Sequence, residues 1–147
     1  MKIQGTYTVP APRNEVWNAL MDPAILERAI PGCEKLTPLG DNRYTAILKA
    51  GVGNIKGTFN SEIALTELRP PASYTLTSKA KAPVGFVEGA GQVSLEEADG
   101  GAATTVRFAG DAKMGGMLAS VAGRLFEAAA QKNIGDMFKN LAKLVAK

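Results

Sequence analysis

Histidine is missing from this sequence altogether, and cysteine occurs once, as Cys33. A Ser-His-Asp or Cys-His catalytic arrangement is therefore excluded. The usual zinc sites, built from histidines and several thiolates, are excluded with it. A single cysteine also rules out an intrachain disulfide and fits a reducing compartment. No cluster of carboxylates suggests a magnesium site. The net charge is only +3. It is scattered, without a basic stripe interleaved with aromatics, which argues against a nucleic-acid binder. No apolar run approaches the roughly 20 residues of a membrane-spanning helix. Strand-like alternation begins at once, with no signal-peptide core, so the expected location is the cytoplasm.

What is present describes a globular chain. Its 147 residues are 46% hydrophobic and 21% charged, enough for one domain over residues 1–147 with a core of its own. Ile3, Gly5, Tyr7 and Val9 alternate, so residues 2–10 read as a strand. Pro12 suits a first helical position, and Val16, Trp17, Leu20 and Met21 recur at one-turn spacing. Asp22-Pro23 starts a second short helix, which Pro31-Gly32 ends. From Cys33 to about Lys113 the pattern is strand and turn: six strands divided at Gly40-Asp41-Asn42, Gly53-Asn54, Pro70-Pro71, the stretch before Gly85, and Asp99-Gly100-Gly101. Consecutive hairpins predict an antiparallel sheet. The run from Gly51 to Gly57 resembles a phosphate loop only superficially, because no helix follows it. Glu96, Glu97 and Asp99 read as a solvated acidic loop, and Arg107 as facing water.

One face of this sheet is unusually small. Phe59, Ile63, Leu65, Val93 and Leu95 share it with Ala46, Ala50, Gly57, Ser61, Ser78, Ala80, Gly89, Gly91, Gly110 and Ala112. Two explanations fit. The covering element approaches closely over glycines, or the small residues keep a greasy cavity open for a ligand.

Met114 to Lys147 is the cover that the spacing predicts. Helical throughout, it would run about 50 Å at roughly 1.5 Å per residue. Met114, Leu118, Val121, Leu125 and Ala128 fall on one side; Phe126, Ala130, Ile134, Met137, Leu141 and Leu144 fall nearly opposite. Either the helix bends near Gly135 to follow a curved sheet, or its second half presents a stripe flanked by Lys132, Lys139, Lys143 and Lys147. Such a stripe suits a partner protein or an anionic bilayer, and makes Ile134, Met137, Leu141 and Leu144 the expected contact.

The order β-α-α-β6-α resembles the START / Bet v 1-like (SRPBCC) superfamily. Within it, Pro10-Ala11-Pro12 with Val16-Trp17, Ile30-Pro31-Gly32-Cys33-Glu34, Lys56-Gly57-Thr58-Phe59, Pro70-Pro71 with Ser73-Tyr74, Gly85-Phe86 with Gly89, and Gly115-Gly116 with Leu118-Ala119 resemble the carbon monoxide dehydrogenase G-subunit family. The resemblance implies an α+β helix-grip fold, a seven-stranded antiparallel sheet around a C-terminal helix, over a hydrophobic cavity. It implies a non-catalytic accessory protein beside a molybdenum hydroxylase, handling a quinone and recruiting the oxidoreductase to the inner face of the membrane. It transfers no metal, cofactor or catalytic residue to this chain, and the only group expected to be bound is a quinone or lipid. Longer members carry a further C-terminal segment as a proposed membrane anchor, and this sequence stops at Lys147, so stable attachment is not expected.

The expected cavity residues are Trp17, Leu20, Tyr44, Leu48, Phe59, Ser61, Ile63, Ser78, Phe86, Gly89, Gly91, Phe108, Met114, Met117, Leu118, Val121 and Leu125. Phe86 is either a gate at the cavity rim or an ordinary aromatic packed at a strand start, and Ser61 or Ser78 is the expected head-group partner. The alternatives are a cyclase- or hydrolase-like enzyme acting on an apolar substrate, and a protein-binding module.

Overall fold

Alternation of apolar and polar residues makes a strand of Lys2–Val9 (β1), and Pro10 closes it. Two short helices follow, Arg13–Leu20 (α1) and Pro23–Ala29 (α2). Asp22 caps α2: its carboxylate accepts the Ala24 N–H at 3.0 Å, satisfying a donor that the helix itself leaves free. Six strands come next: Cys33–Gly40 (β2), Arg43–Val52 (β3), Ile55–Arg69 (β4), Ser73–Ala82 (β5), Gly85–Ala98 (β6) and Ala103–Gly116 (β7). A 3-10 turn at Met117–Ser120 leads to the long helix Gly123–Val145 (α3). The computed structural model describes residues 1–121 and 123–145.

The seven strands form one antiparallel sheet in the order β1-β7-β6-β5-β4-β3-β2. β2 to β7 meander, and β1 returns to pair with β7. The Gly51–Gly57 run is a hairpin, with Val52 paired to Ile55 and Gly53 in the left-handed region at φ 61°. The fold is the expected α+β helix-grip arrangement, with α3 lying across one face of the sheet.

The expected helix from Met114 is corrected. β7 continues through Met114, which pairs with Val87, as far as Gly116, which pairs with Gly85. The ladder to β6 takes up the backbone of these residues. Gly116, at φ 70°, then turns the chain out of the strand. Only from Gly123 is the backbone α-helical, for 23 residues, or about 35 Å. The expected continuation to Lys147 lies outside the described residues.

The apparent change of sides along the helix follows from this boundary. Met114, Leu118 and Val121 belong to a strand and a turn, so a helical step through them has no geometric meaning. The true helix has one apolar stripe, and it faces inward. Leu141 is fully buried, and Ile134, Met137 and Leu144 pack against the core. The expected outward contact at Ile134, Met137, Leu141 and Leu144 is therefore wrong. The helix runs unbroken through Gly135. There a Cβ would lie 3.5 Å from Cε1 of Tyr7, whose ring stacks on Phe138 at 5.0 Å between centroids. Tyr7 of β1 thus packs against the helix at a distance that leaves ordinary contact room for a Cβ at position 135.

The tight core gathers where α1, α2 and the end of α3 meet the sheet. Val9, Val16, Leu20, Val106 and Leu141 are among its most buried members. Asn140 Nδ2 donates to the Ala29 carbonyl at 3.0 Å, tying α3 to α2. The buried Thr104 hydroxyl donates to the Ala11 carbonyl at 2.7 Å, fixing β7 to the turn before α1. Glu27 accepts the Leu36 N–H at 2.9 Å, fixing α2 to β2.

Candidate functional site

Toward the first half of α3 the sheet and helix do not close on one another. A cavity of about 370 Å³ lies between them, within the range of small-molecule sites. Its floor comes from alternate residues of neighbouring strands: Tyr44, Leu48, Ala50 and Val52 of β3; Phe59, Ile63 and Leu65 of β4; Tyr74, Leu76, Ser78 and Ala80 of β5; and Val87 of β6. Its roof is Phe126, Ala130, Asn133, Ile134 and Met137 of α3. Leu20, Leu26, Ile30, Pro31 and Leu36 close one side, and Leu118 contributes from the turn before the helix.

Both readings of the small inward face hold, in different places. Ala50, Ser78, Ala80 and Ala130 line open space. At Gly91, by contrast, a Cβ would lie 2.8 Å from the Ala109 carbonyl oxygen and 2.9 Å from Cζ of Phe108, so that glycine serves close approach within the sheet.

Of the expected cavity residues, the structure brings together Leu20, Tyr44, Leu48, Phe59, Ile63, Ser78 and Leu118. The others lie elsewhere. Trp17 is buried behind the floor, its ring edge-on to Tyr74 at 5.7 Å. Ser61 is buried beside the cavity, and its Oγ has no hydrogen-bond partner among the described residues. Phe86 falls on the opposite parity to Val87, and its ring lies where a Cβ on Gly115 would have to be. It covers the outer side of β7 and cannot gate the cavity. Gly89, Gly91, Phe108 and Met114 are not part of the lining. Val121 is also outside it, and Met117 and Leu125 are exposed.

Several lining residues were missed. Leu65, Tyr74, Leu76, Ala80 and Val87 share the face that alternation had identified, so that signal was available. Phe126, Ala130, Ile134 and Met137 needed the correct helix start. Ile30 and Pro31, in the passage from α2 to β2, left no periodic signal.

The chemistry of the lining is apolar and uncharged. Among its described residues none is acidic or basic; the polar side chains are Tyr44, Tyr74, Ser78 and Asn133. Burial pushes the Tyr74 phenol far above its ordinary range, and Tyr44 adds to the effect. Burial raises the Tyr44 phenol too, with the Asp22 carboxylate contributing. Both phenols therefore stay protonated at neutral pH and remain neutral O–H donors. Cys33 lies outside the lining, and its thiol is raised by burial and then by Glu27, so it carries little thiolate. Among the described residues no group of three or more acidic, cysteine or histidine side chains could hold a metal. Glu96 pairs with Arg107 at 3.4 Å and Glu97 with Arg13 at 3.6 Å, which makes them surface braces.

Comparison with known proteins agrees with this geometry. The family model of the carbon monoxide dehydrogenase G-subunit (CoxG) matches residues 5–146. A conserved protein of Geobacillus kaustophilus is 30% identical, with a TM-score of 0.93 over 99% of this chain and 95% of its own. The Zhui aromatase/cyclase of a Streptomyces species is 20% identical, with a TM-score of 0.71 over 99% and 93% of the two chains. A START superfamily protein of Mycobacterium smegmatis is 12% identical, with a TM-score of 0.73 over 98% and 96%. The last two show a shared fold alone. No curated protein matches the chain.

Proposed function

The chain belongs to the carbon monoxide dehydrogenase G-subunit (CoxG) family, and from that premise we propose that it is a non-catalytic carrier. It holds an uncharged, largely apolar molecule, an isoprenoid quinone or a lipid of similar character, under α3. It serves as the accessory of a molybdenum hydroxylase-type oxidoreductase working at the membrane. The observation that carries this reading is the cavity of about 370 Å³ with no charged residue in its described lining. An apolar tail buried there contributes about 25 cal/mol per Å², before the costs of association. The protonated hydroxyls of Tyr44 and Tyr74, with Ser78, supply neutral donors for a carbonyl oxygen. A carboxylate or phosphate would find no cation to replace its lost hydration.

The lining also speaks against chemistry on the guest. Among its described residues it offers no side chain poised to exchange a proton near neutral pH, which general acid–base catalysis needs.

The test is extraction of detergent-free purified protein with organic solvent, followed by mass spectrometry. The expected result is a quinone or neutral lipid in near-stoichiometric amount. Protein that carries none, and takes up none when offered a short-chain isoprenoid quinone, overturns the proposal.

A further inference from the structure

At about 370 Å³ the cavity is at the small end of drug-sized sites. A guest with a long chain cannot lie wholly inside it, so one end of that guest stands at the mouth. The side chains of the lining decide which end.

Exposure marks the mouth. Among the described lining residues two are exposed, Gly51 of β3 and Asn133 of α3. Ile30, Pro31, Ala50 and Val52 are half-buried. The opening therefore lies between the roof helix and the end of β3. The closed end is made by Leu20, Leu26, Leu65 and Tyr74, all buried.

Tyr74 is a polar group of that closed end which the fold leaves unused. Its side chain is 5% exposed. Its hydroxyl makes no hydrogen bond among the described residues. Yet it is not sealed in by its neighbours, as the Ser61 Oγ is. A buried tip that is neither bonded nor sealed faces the cavity it lines. The ring is also held in place before any guest arrives. Trp17 packs edge-on against it at 5.7 Å, and its ladder partner Val93 is buried. Such a donor loses little freedom when it binds an acceptor.

Asn133 is the competing polar group. It is exposed, so water already satisfies its amide, and exchanging that water for a guest's oxygen gains little. At Tyr74 the exchange is unequal. An unpaired buried donor carries a desolvation penalty that an arriving acceptor removes. A polar head gains more at the closed end, and an apolar chain loses nothing by running out past Ala50, Val52 and Ile30.

We propose that the guest enters head first, with a neutral carbonyl oxygen accepting from the Tyr74 hydroxyl and the chain leaving between Asn133 and Gly51. Tyr74 is then the residue that selects a carbonyl-bearing head over a plain hydrocarbon. The inference rests on the carrier reading, and adds to it the direction of the guest and the atom that recognises it.

The experiment uses the full chain stripped of ligand and two probes of one carbon skeleton, a trimethyl-hexyl-para-benzoquinone and trimethyl-hexyl-benzene. Affinities are measured by titration calorimetry. Wild-type protein is expected to bind the quinone more tightly than the hydrocarbon. Tyr74→Phe removes a single oxygen, and is expected to weaken the quinone about five- to tenfold while leaving the hydrocarbon affinity and the urea midpoint near wild type. Trp17 is the single tryptophan, and a quinone ring held at Tyr74 lies close to it, so the quinone is expected to quench its fluorescence. A Tyr74→Phe variant that binds the quinone as wild type does, or that weakens both probes alike, overturns the proposal. Asn133→Ala that weakens the quinone where Tyr74→Phe does not, with Trp17 unquenched, places the head at the mouth and overturns it too. In each of these results both probes still bind, and the carrier reading stands. Protein that binds neither probe overturns the carrier reading and this inference with it.

Discussion

The orientation of α3 decides which residues roof the cavity, and it can be tested by a pair of truncations sixteen positions apart in one helix. Leu141 is fully buried in the core shared with α1 and α2, whereas Leu125 is about half exposed, at 48%. Truncating a fully buried leucine removes its transfer energy and leaves a void that the neighbours fill only in part. Such changes cost about 2–5 kcal/mol. Leu141 sits in the closed part of the interface, away from the cavity lining, so Leu141→Ala belongs near the middle of that range, at about 3 kcal/mol. For a chain of this size that lowers Tm by roughly 6–12 °C. Leu125→Ala removes a side chain already half in water, and falls within about 0.5 kcal/mol. The assay is urea denaturation of ligand-free protein followed by circular dichroism, with the midpoints compared at constant m-value. If Leu125→Ala costs as much as Leu141→Ala, or if Leu141→Ala costs under about 1 kcal/mol, the helix faces the other way and the cavity roof described above is wrong.

Four further outcomes follow from the same geometry. Ala130→Phe fills the cavity from its roof, and is expected to cut the ligand recovered by mass spectrometry while leaving the urea midpoint near the wild-type value. Gly135→Ala is expected to stabilise the protein by up to about 1 kcal/mol, because its Cβ meets Tyr7 at an ordinary 3.5 Å; a marked loss of stability would show that the helix needs flexibility there. Gly115→Ala drives a Cβ into the Phe86 ring and is expected to lower Tm, while Phe86→Ala leaves ligand binding unchanged because Phe86 is not a gate. Finally, the Tyr44 and Tyr74 phenols are raised above their ordinary value of 10.0. The folded state then holds their protons more tightly than the unfolded state does. Stability is fully present below pH 10.0 and is lost as pH climbs above it toward the folded-state values. Tyr74→Phe is expected to flatten part of that alkaline fall in a titration of the urea midpoint.

Much of the architecture was open to a reading of residues alone. Asp22-Pro23, Gly53-Asn54 and Asp99-Gly100 set local backbone choices through their own chemistry, whatever surrounds them. Alternation on a pleated strand has a period of two, so Tyr44 with Leu48, and Phe59 with Ile63, share a face by covalent geometry. These local rules determined the element order and the apolar, uncharged character of the inward face. Likeness to a family then supplied a single seven-stranded sheet around the helix, and the closure of β1 on β7 came from the structure.

What only the tertiary structure decided was where the last strand ends and the helix begins. Met114, Gly115 and Gly116 suit either element, and pairing with Val87, Phe86 and Gly85 makes them strand. That boundary set the phase of α3. The phase in turn moved Ile134 and Met137 from an expected outer stripe to the cavity roof, and placed Leu125 in solvent. The physical reason is that a helix's periodicity fixes which residues share a face, while only packing against the sheet fixes which way that face points.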